Sequence, residues 1–254
     1  MHPGNITAQP LVCLSIVSHG QGDLVASLLT SIQRHCGTYR LETVITLNIE
    51  EDLPCCANRS AFPLTIRKNS RIKGFGENHN SAFNKNCRAD YFCVLNPDIR
   101  FLSNPFPALL ETLADPGIGV VGPSLVDSGN RLQDSMRKFP TPMEILFRRL
   151  KKSRAHNFPV AGNITYPDWI AGMFMLFPSR IFASLGGFDE GYFMYCEDAD
   201  ICMRLRRLNL RTACRGDVTA IHDPRRESHR RFPHFLWHVR SLSRFFRRWH
   251  GYQG

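Results

Sequence analysis

The 254-residue chain has no apolar run approaching the roughly 18 residues that would suggest a membrane-spanning helix. Its first stretch, MHPGNITAQPLVCLSIV, lacks a basic segment followed by a long apolar one, so a secretory signal is not expected. There is no C-x-x-C pair, and the nine cysteines are an odd number scattered at positions 13, 36, 55, 56, 87, 93, 196, 202 and 214. Several lie inside apolar strand patterns, where Cys acts as a small hydrophobe. A disulfide framework or zinc site is therefore not expected, and the reducing cytosol is the expected compartment. A complete dinucleotide fingerprint is missing too. GFGENHN (74–80) lacks the third glycine and does not follow the first strand. No internal repeat or low-complexity tract is visible.

What is present describes a globular protein. Hydrophobic residues make up 43% of the chain, and the length suffices for one large domain or two small ones with a sizeable core. The net charge of +10 is uneven: residues 1–200 hold 19 basic and 19 acidic side chains, residues 201–254 hold 13 and 3. The whole excess sits at one end. It implies an anionic partner there: a membrane surface, a phosphate-rich substrate or nucleic acid.

The first half alternates strand-like and helix-like segments. LVCLSIVS (11–18), TVITLN (43–48), LTIRKN (64–69) and YFCVLN (91–96) read as strands. Between them lie a helix with Leu24, Leu28, Leu29 and Ile32 on one face and Asp23 as N-cap, and a glycine turn feeding a helix at 74–87. PFPALLETLAD (105–115) adds another helix. This rhythm predicts an α/β fold with a mostly parallel sheet and helices on both faces. After about residue 118 the pattern changes to short strands and turns. A mobile loop is expected at 148–168, then the apolar segment WIAGMFMLF (169–177), a short helix at 178–185 and a helix from about Asp198 to Leu208. RTACRG and VTAIHD read as two further strands, and 234–250 as a helix.

Polar residues gather at element ends. Ser18-His19-Gly20 follows the first strand, and Asn48 with Glu50, Glu51 and Asp52 the second. Asn96-Pro97-Asp98 follows the fourth, and Glu197-Asp198 opens a late helix. In a parallel sheet the first three share the edge where ligands bind. Each also has a structural reading, as a turn, a solvated loop or a helix cap.

Three stretches together are more specific: GFGENHNSAF (74–83), VLNPDIRF (94–101) and WIAGMFMLFPSRIFASLGGFDEGYFMYCEDADICMRLRR (169–207). With these the sequence resembles family-two glycosyltransferases, in particular the bacterial rhamnosyltransferase-like branch, over roughly residues 10–245. The resemblance implies the GT-A fold, a nucleotide-diphosphate sugar donor and a divalent metal, Mg²⁺ or Mn²⁺. Asp98 corresponds to the metal-facing carboxylate of the family's Asp-x-Asp motif, with Asn96 in place of the first Asp. Such ions take oxygen ligands and neutralise charge on a leaving diphosphate. His222 resembles a second metal ligand; its other reading is a surface histidine. Ser18, His19, Asn48, Gly74, Asn80, Asn96 and Asp98 form the implied donor side.

Asp198 resembles the catalytic base, which takes the acceptor hydroxyl proton during inverting transfer. Trp169, Gly172, Asp189 and Glu197 form the implied acceptor side, with core packing as the other reading of Trp169 and a turn cap that of Asp189. Asp200 and Arg204, at i and i+4, read as a supporting ion pair. One departure concerns the base. Many relatives carry Asp at the end of the second strand, whereas this chain has Leu47 and Asn48, which leaves uridine and deoxythymidine open. The branch favours dTDP-rhamnose.

The tail places Phe235, Leu236, Val239, Leu242, Phe245, Phe246 and Trp249 at helical spacing, with Arg240, Arg244, Arg247 and Arg248 on or beside the other face. It reads either as a helix packed on the domain or as one lying in anionic headgroups. Residues 1–233 are thus expected to form the GT-A domain, with a nucleotide-binding half at about 10–118 and an acceptor half at about 119–233, and 234–254 a basic amphipathic helix. The expected acceptor is a glycan or lipid-linked saccharide in cell-surface polysaccharide synthesis. The expected location is cytoplasmic, peripheral at the inner face of the membrane, with an anionic membrane surface as a partner and no nucleic acid. Three alternatives compete. A nucleic-acid-binding module would use the basic aromatic tail but leaves Asp98, Glu197 and Asp198 without a role. A nucleotidyltransferase would show a basic Gly-rich loop that SIVSHGQGD lacks. A catalytically degenerate glycosyltransferase would account for Asn96 and Leu47.

Overall fold

The computed structural model describes residues 9–53, 62–86, 88–141, 164–223 and 232–250. The first half follows the expected rhythm: β1 (Val12–Ser18), α1 (Gly22–Cys36), β2 (Leu41–Leu47), β3 (Leu64–Lys68), α2 (Phe75–Asn86) and β4 (Tyr91–Leu95). Then come β5 (Ile99–Phe101), α3 (Phe106–Leu113), β6 (Ile118–Val126), β7 (Met136–Arg137), β8 (Ile164–Thr165), β9 (Trp169–Ile170) and β10 (Phe174–Pro178). The chain continues through α4 (Ser179–Ser184), α5 (Glu197–Arg207), β11 (Arg211–His222) and α6 (Phe232–Trp249).

One nine-stranded sheet runs β3-β2-β1-β4-β10-β6-β11-β5, with β8 added on β11. β1 to β4 are parallel, and β10 lies antiparallel between β4 and β6. Two reversals restore the direction, so β6 and β11 run with β1. The sheet is therefore mostly parallel, as the sequence pattern predicts. β7 and β9 form a separate ribbon.

The central strands read as unbroken apolar runs because both faces are covered. On one face Leu14, Ile16, Leu95 and Phe174 pack with Leu28 and Ile32 of α1 and Phe106 and Leu109 of α3. On the other, Phe92, Val94 and Phe177 pack with Phe182 of α4 and Ile201 and Leu205 of α5. Each such side chain, fully buried, contributes about 1.5–3 kcal/mol.

Several local expectations change. Gln21, not Asp23, is the N-cap of α1; Asp23 sits in the first turn. The Ser18 hydroxyl accepts the Gln21 N–H at 3.2 Å, which starts the helix earlier. β6 is a nine-residue strand buried throughout, where short strands and turns are expected after about residue 118. RTACRG and VTAIHD are one strand, β11, with a register shift between Arg215 and Thr219. Such a bulge absorbs extra residues without ending the pairing. Most of the expected 148–168 loop lies outside the described residues; its end forms β8. Strands from both expected halves share the one sheet.

Candidate functional site

The carboxyl ends of β1, β2, β3 and β4 lie side by side along the sheet. The residues after β1, β2 and β4 are those expected on the donor side. Ser18 is fully buried, and its carbonyl accepts the Asn48 N–H at 2.9 Å. His19 is exposed, with Nδ1 3.4 Å from Asn48 Nδ2. Gly20 has φ +76° and its N–H donates to Glu51 at 3.0 Å, so part of the acidic cluster ties the first two loops together.

Asn48 does not present its amide outward. It donates to the Lys73 carbonyl at 3.0 Å and accepts from Asn69 Nδ2 at 2.9 Å and the Lys73 N–H at 2.8 Å. With Asn78, which accepts from Asn69, it forms a clamp on the 69–74 segment. Asn48 thus shapes the 69–74 loop, with its amide engaged within the protein. The clamp has a sequence signal: β2, β3 and β4 are each followed by asparagine, at 48, 69 and 96.

Asp98 follows β4 and meets the end of β11, where His222 pairs with Ile99. His222 Nε2 lies 3.4 Å from Asp98 Oδ2, and the two side chains are 8% and 12% exposed. Asp98 Oδ1 and His222 Nδ1 are buried with no hydrogen-bond partner. Burial raises the Asp98 carboxyl, which neighbouring His222 opposes, and burial lowers the His222 imidazole against the pull of Asp98. A six-coordinate ion with bonds of about 2.1 Å sets adjacent ligands about 3 Å apart, so this pair fits one edge of a small divalent cation. Among the described residues no three His, Cys, Asp or Glu side chains converge. The rest of such a shell would come from ligand oxygens and water.

Asp198 and Glu197 open α5, where the helix N-terminus favours negative charge. The preceding Tyr195 and Cys196 both have left-handed φ, +73° and +66°. Asp198 is partly exposed; one oxygen accepts the Gly172 N–H at 3.0 Å and the other the Ala199 N–H at 2.9 Å. Glu197 is 5% exposed and its Oε2 has no partner. Burial raises both carboxyls. For Asp198 the Gly172 amide, the Arg137 cation and the Ala199 amide oppose that rise, whereas the neighbouring Asp198 charge pushes Glu197 higher still. The two adjacent carboxyls stand in unequal surroundings, so Glu197 is raised the further while more groups hold Asp198 down.

The two carboxylate centres are physically linked. The Asn96 N–H donates to the Met173 carbonyl at 2.9 Å, and the adjacent Gly172 holds Asp198. Gly172–Met173 therefore ties the residues after β4 to the start of α5, bringing Asp98 and Asp198, a hundred positions apart, to the same end of the sheet. Gly172 must lack a side chain, because a Cβ there would lie 2.9 Å from the Phe75 ring.

Other expected contacts are engaged within the protein. Gly74 packs backbone to backbone, since a Cβ would sit 2.6 Å from the Phe193 carbonyl. Asn80 donates to the Phe188 carbonyl at 2.9 Å and to Glu190 at 3.0 Å, and accepts the Phe188 N–H at 2.8 Å. Asp189 accepts the Gly191 N–H at 2.8 Å, pairs with Arg244 at 2.9 Å and also binds Arg248. Trp169 is 8% exposed and donates to the Lys138 carbonyl at 2.9 Å, with the Arg137 guanidinium 4.9 Å over its ring. These side chains brace the 186–196 segment and the β7–β9 ribbon around Asp198. Asp200 and Arg204 form the expected ion pair, at 2.8 Å.

Sequence reading missed Arg137, His79 and His238. Arg137 stands opposite Trp169 in the β7–β9 ribbon. His79 is fully buried, holds the Ser15 hydroxyl at 2.8 Å, and is pushed down to about 3 by burial. His238 of α6 lies within the fields of Arg137 and Asp198, its ring 5.0 Å from Tyr195.

No protein-family model matches the chain. It is 28% identical over 251 residues to the rhamnosyltransferase WbbL of Escherichia coli K12, covering 94% of this chain and 93% of that one. It is also 28% identical over 134 residues to the N-acetylglucosaminyl-diphospho-decaprenol L-rhamnosyltransferase of Mycobacterium tuberculosis, covering 46% of this chain and 41% of the relative. Among solved structures, GalNAc-T7 with UDP, GalNAc and Mn²⁺ matches with a TM-score of 0.72 and 15% identity, over 94% of this chain. This chain spans about half of that one, at 48%. The GT-A glycosyltransferase fold and the rhamnosyltransferase-like resemblance both stand.

Proposed function

We propose that this rhamnosyltransferase-like protein of GT-A fold is an inverting transferase that moves a sugar from a nucleotide diphosphate to a saccharide acceptor in glycan synthesis. The observation that carries the reading is the link through Gly172–Met173, which joins the Asp98–His222 pair to the Glu197–Asp198 pair. One pair suits a donor diphosphate, the other an acceptor hydroxyl.

In this reading the donor lies over the carboxyl ends of β1, β2 and β4. The clamp of Asn48, Asn69 and Asn78 sets the loop beside the base. Asp98 and His222 would hold a divalent ion that neutralises charge on the departing diphosphate. Asp198 accepts the proton of the acceptor hydroxyl as its oxygen bonds to the anomeric carbon. The bond from that carbon to the diphosphate oxygen breaks, and its electron pair leaves with the nucleotide. Glu197, protonated, donates a hydrogen bond to a sugar hydroxyl, while Trp169 and Arg137 wall the acceptor side. The WbbL relative favours rhamnose as the sugar, and the mycobacterial relative a lipid-linked diphosphate saccharide as acceptor. With such an acceptor the enzyme would work at the cytoplasmic face of a membrane.

Donor binding tests the assignment. Thermal stabilisation by dTDP and UDP sugars, with and without Mn²⁺, reads ligand concentration over Kd; a hundredfold excess gives about 2.7 kcal/mol. Mn²⁺ is expected to raise the effect of one donor, and Asp98→Ala to abolish that increment. A shift insensitive to both would remove Asp98 from the donor site.

A further inference from the structure

The helix α6 has two unlike faces. Its inner face is docked: Ser241, Phe245 and Trp249 are buried, the Ser241 hydroxyl donates to the Met194 carbonyl at 2.8 Å, and Arg244 pairs with Asp189. On this side Arg248 joins Arg244 on the Asp189 carboxylate. The outer face is different. Phe235 and Val239, at i and i+4, start an apolar row that Leu242 and Phe246 continue where the helix packs partly buried against the core. Leu236, Arg240, Ser243 and Arg247 form the row beside it, and α6 contains no acidic residue. Phe235, Leu236 and Val239 are 51%, 50% and 47% exposed, and Arg240 and Arg247 are exposed too.

We infer that this outer face of α6 is a docking surface for an anionic phospholipid bilayer, which sets the carboxylate-bearing end of the sheet against the lipid. An apolar row flanked by arginines is the pattern of a helix lying in the headgroup plane. Among the described residues no helix is long and apolar enough to cross a membrane, so the contact is shallow. Charge selects the partner: 13 basic and 3 acidic side chains fall within residues 201–254. The reaction centre lies on the other side of the same helix. His234 Nδ1 is 2.9 Å from the Tyr195 hydroxyl, and the Trp237 and Phe193 rings are 4.9 Å apart, both on the segment that leads into Glu197 and Asp198. This surface rests on the reading of a lipid-linked acceptor, whose reacting sugar would stand close to the headgroups.

Vesicle sedimentation of the full chain, without any sugar donor, tests it. Binding is expected to vesicles of equal parts phosphatidylglycerol and phosphatidylcholine, weakened by salt, and much less to phosphatidylcholine alone. Phe235→Ser/Leu236→Ser/Val239→Ser is expected to cut partitioning by about tenfold or more, with an unchanged melting profile and unchanged transfer to a short soluble acceptor. Should that variant misfold, Arg240→Gln/Arg247→Gln carries the test through loss of the preference for anionic vesicles. A wild-type chain that stays in the supernatant, equal binding to both vesicles, or variants that bind as wild type would overturn the surface. So would single-stranded DNA binding, lost in these variants, without vesicle binding. Vesicle binding without sugar transfer would reject the transferase alone; transfer to a soluble acceptor without vesicle binding would reject the surface alone.

Discussion

Asp198 and Asp200 stand two residues apart on α5, and amidation should affect them in opposite ways. Asp200 is fully buried. Its carboxylate takes Arg204 at 2.8 Å, the Trp249 indole N–H at 3.0 Å and the Tyr192 hydroxyl at 3.3 Å. Arg204 also donates to the Leu185 and Gly187 carbonyls, at 2.7 and 2.8 Å. One carboxylate thus joins α5, the 185–192 turn and α6. Asp200→Asn leaves the Arg204 cation uncompensated, a loss of about 3–5 kcal/mol out of a total of about 5–15. At about 2–4 °C per kcal/mol, Tm should fall by roughly 6–20 °C. Asp198→Asn keeps an oxygen for the Gly172 N–H, gives up the one that accepts the Ala199 N–H, and removes a charge that partial burial disfavours. Its stability should stay within about 1 kcal/mol of wild type, while transfer falls about 10²- to 10⁴-fold. The pH dependence follows in sign. A carboxyl raised on folding binds its proton more tightly in the folded state, so stability declines as pH rises from the unfolded value to the folded one. Asp198→Asn lacks that decline, and its advantage over wild type should grow through the same window. Calorimetry beside initial transfer rates decides: equal melting of the two variants, or near-normal turnover in Asp198→Asn, would refute the division of roles.

Two further outcomes probe the surroundings of that helix. Asp189→Ala should cost about 2 kcal/mol through lost charged hydrogen bonds to Arg244 and Arg248, with faster amide exchange in the C-terminal half of α6. Burial acts to raise the Asp189 carboxyl, but the Gly191 N–H and Arg244 outweigh it and hold it low, so this stabilisation is full above about pH 4 and fades as pH falls through the folded value. The variant and wild type should therefore converge in acid. Arg137→Gln removes a cation that holds Asp198 ionised, so the acid limb of kcat/KM should move to higher pH with Tm little changed; an unmoved limb would separate Arg137 from the base.

The fold was legible where both faces of a strand are covered, because burial writes itself as an apolar run. β1, β2 and β4 announce themselves in this way. β6 did not, because its glycines and Pro123 resemble punctuation, although Gly122 lies where a Cβ would meet the Phe174 carbonyl at 2.8 Å. The carboxylates were legible as residues at element ends. Their partners were not. Asn48, Asn69 and Asn96 all follow parallel strands, yet the first two join a clamp while the N–H of the third reaches Met173. Residue type places a side chain at a strand tip; only the packed neighbours decide which hydrogen bonds it makes.

The same argument explains Tyr195 and Cys196. Two consecutive left-handed residues cost of order 1–3 kcal/mol each, and glycine would adopt the conformation at less cost. Both side chains are engaged where they stand. Tyr195 reaches His234 on α6, and Cys196 fills the core beside α5 at 8% exposure. What the left-handed pair achieves is a sharp entry to α5. The helix then begins on Glu197 and Asp198, with Asp198 turned onto the Gly172 amide, instead of on residues already running along the core. Strain that survives beside Glu197 and Asp198, in a segment braced by Gly74, Asn80 and Asp189, is over-determined by its surroundings. That bracing accounts for the many motif residues that turn inward: on the proposed reading a base about one ångström out of place loses about a hundredfold in rate, and these residues hold the carboxylate still.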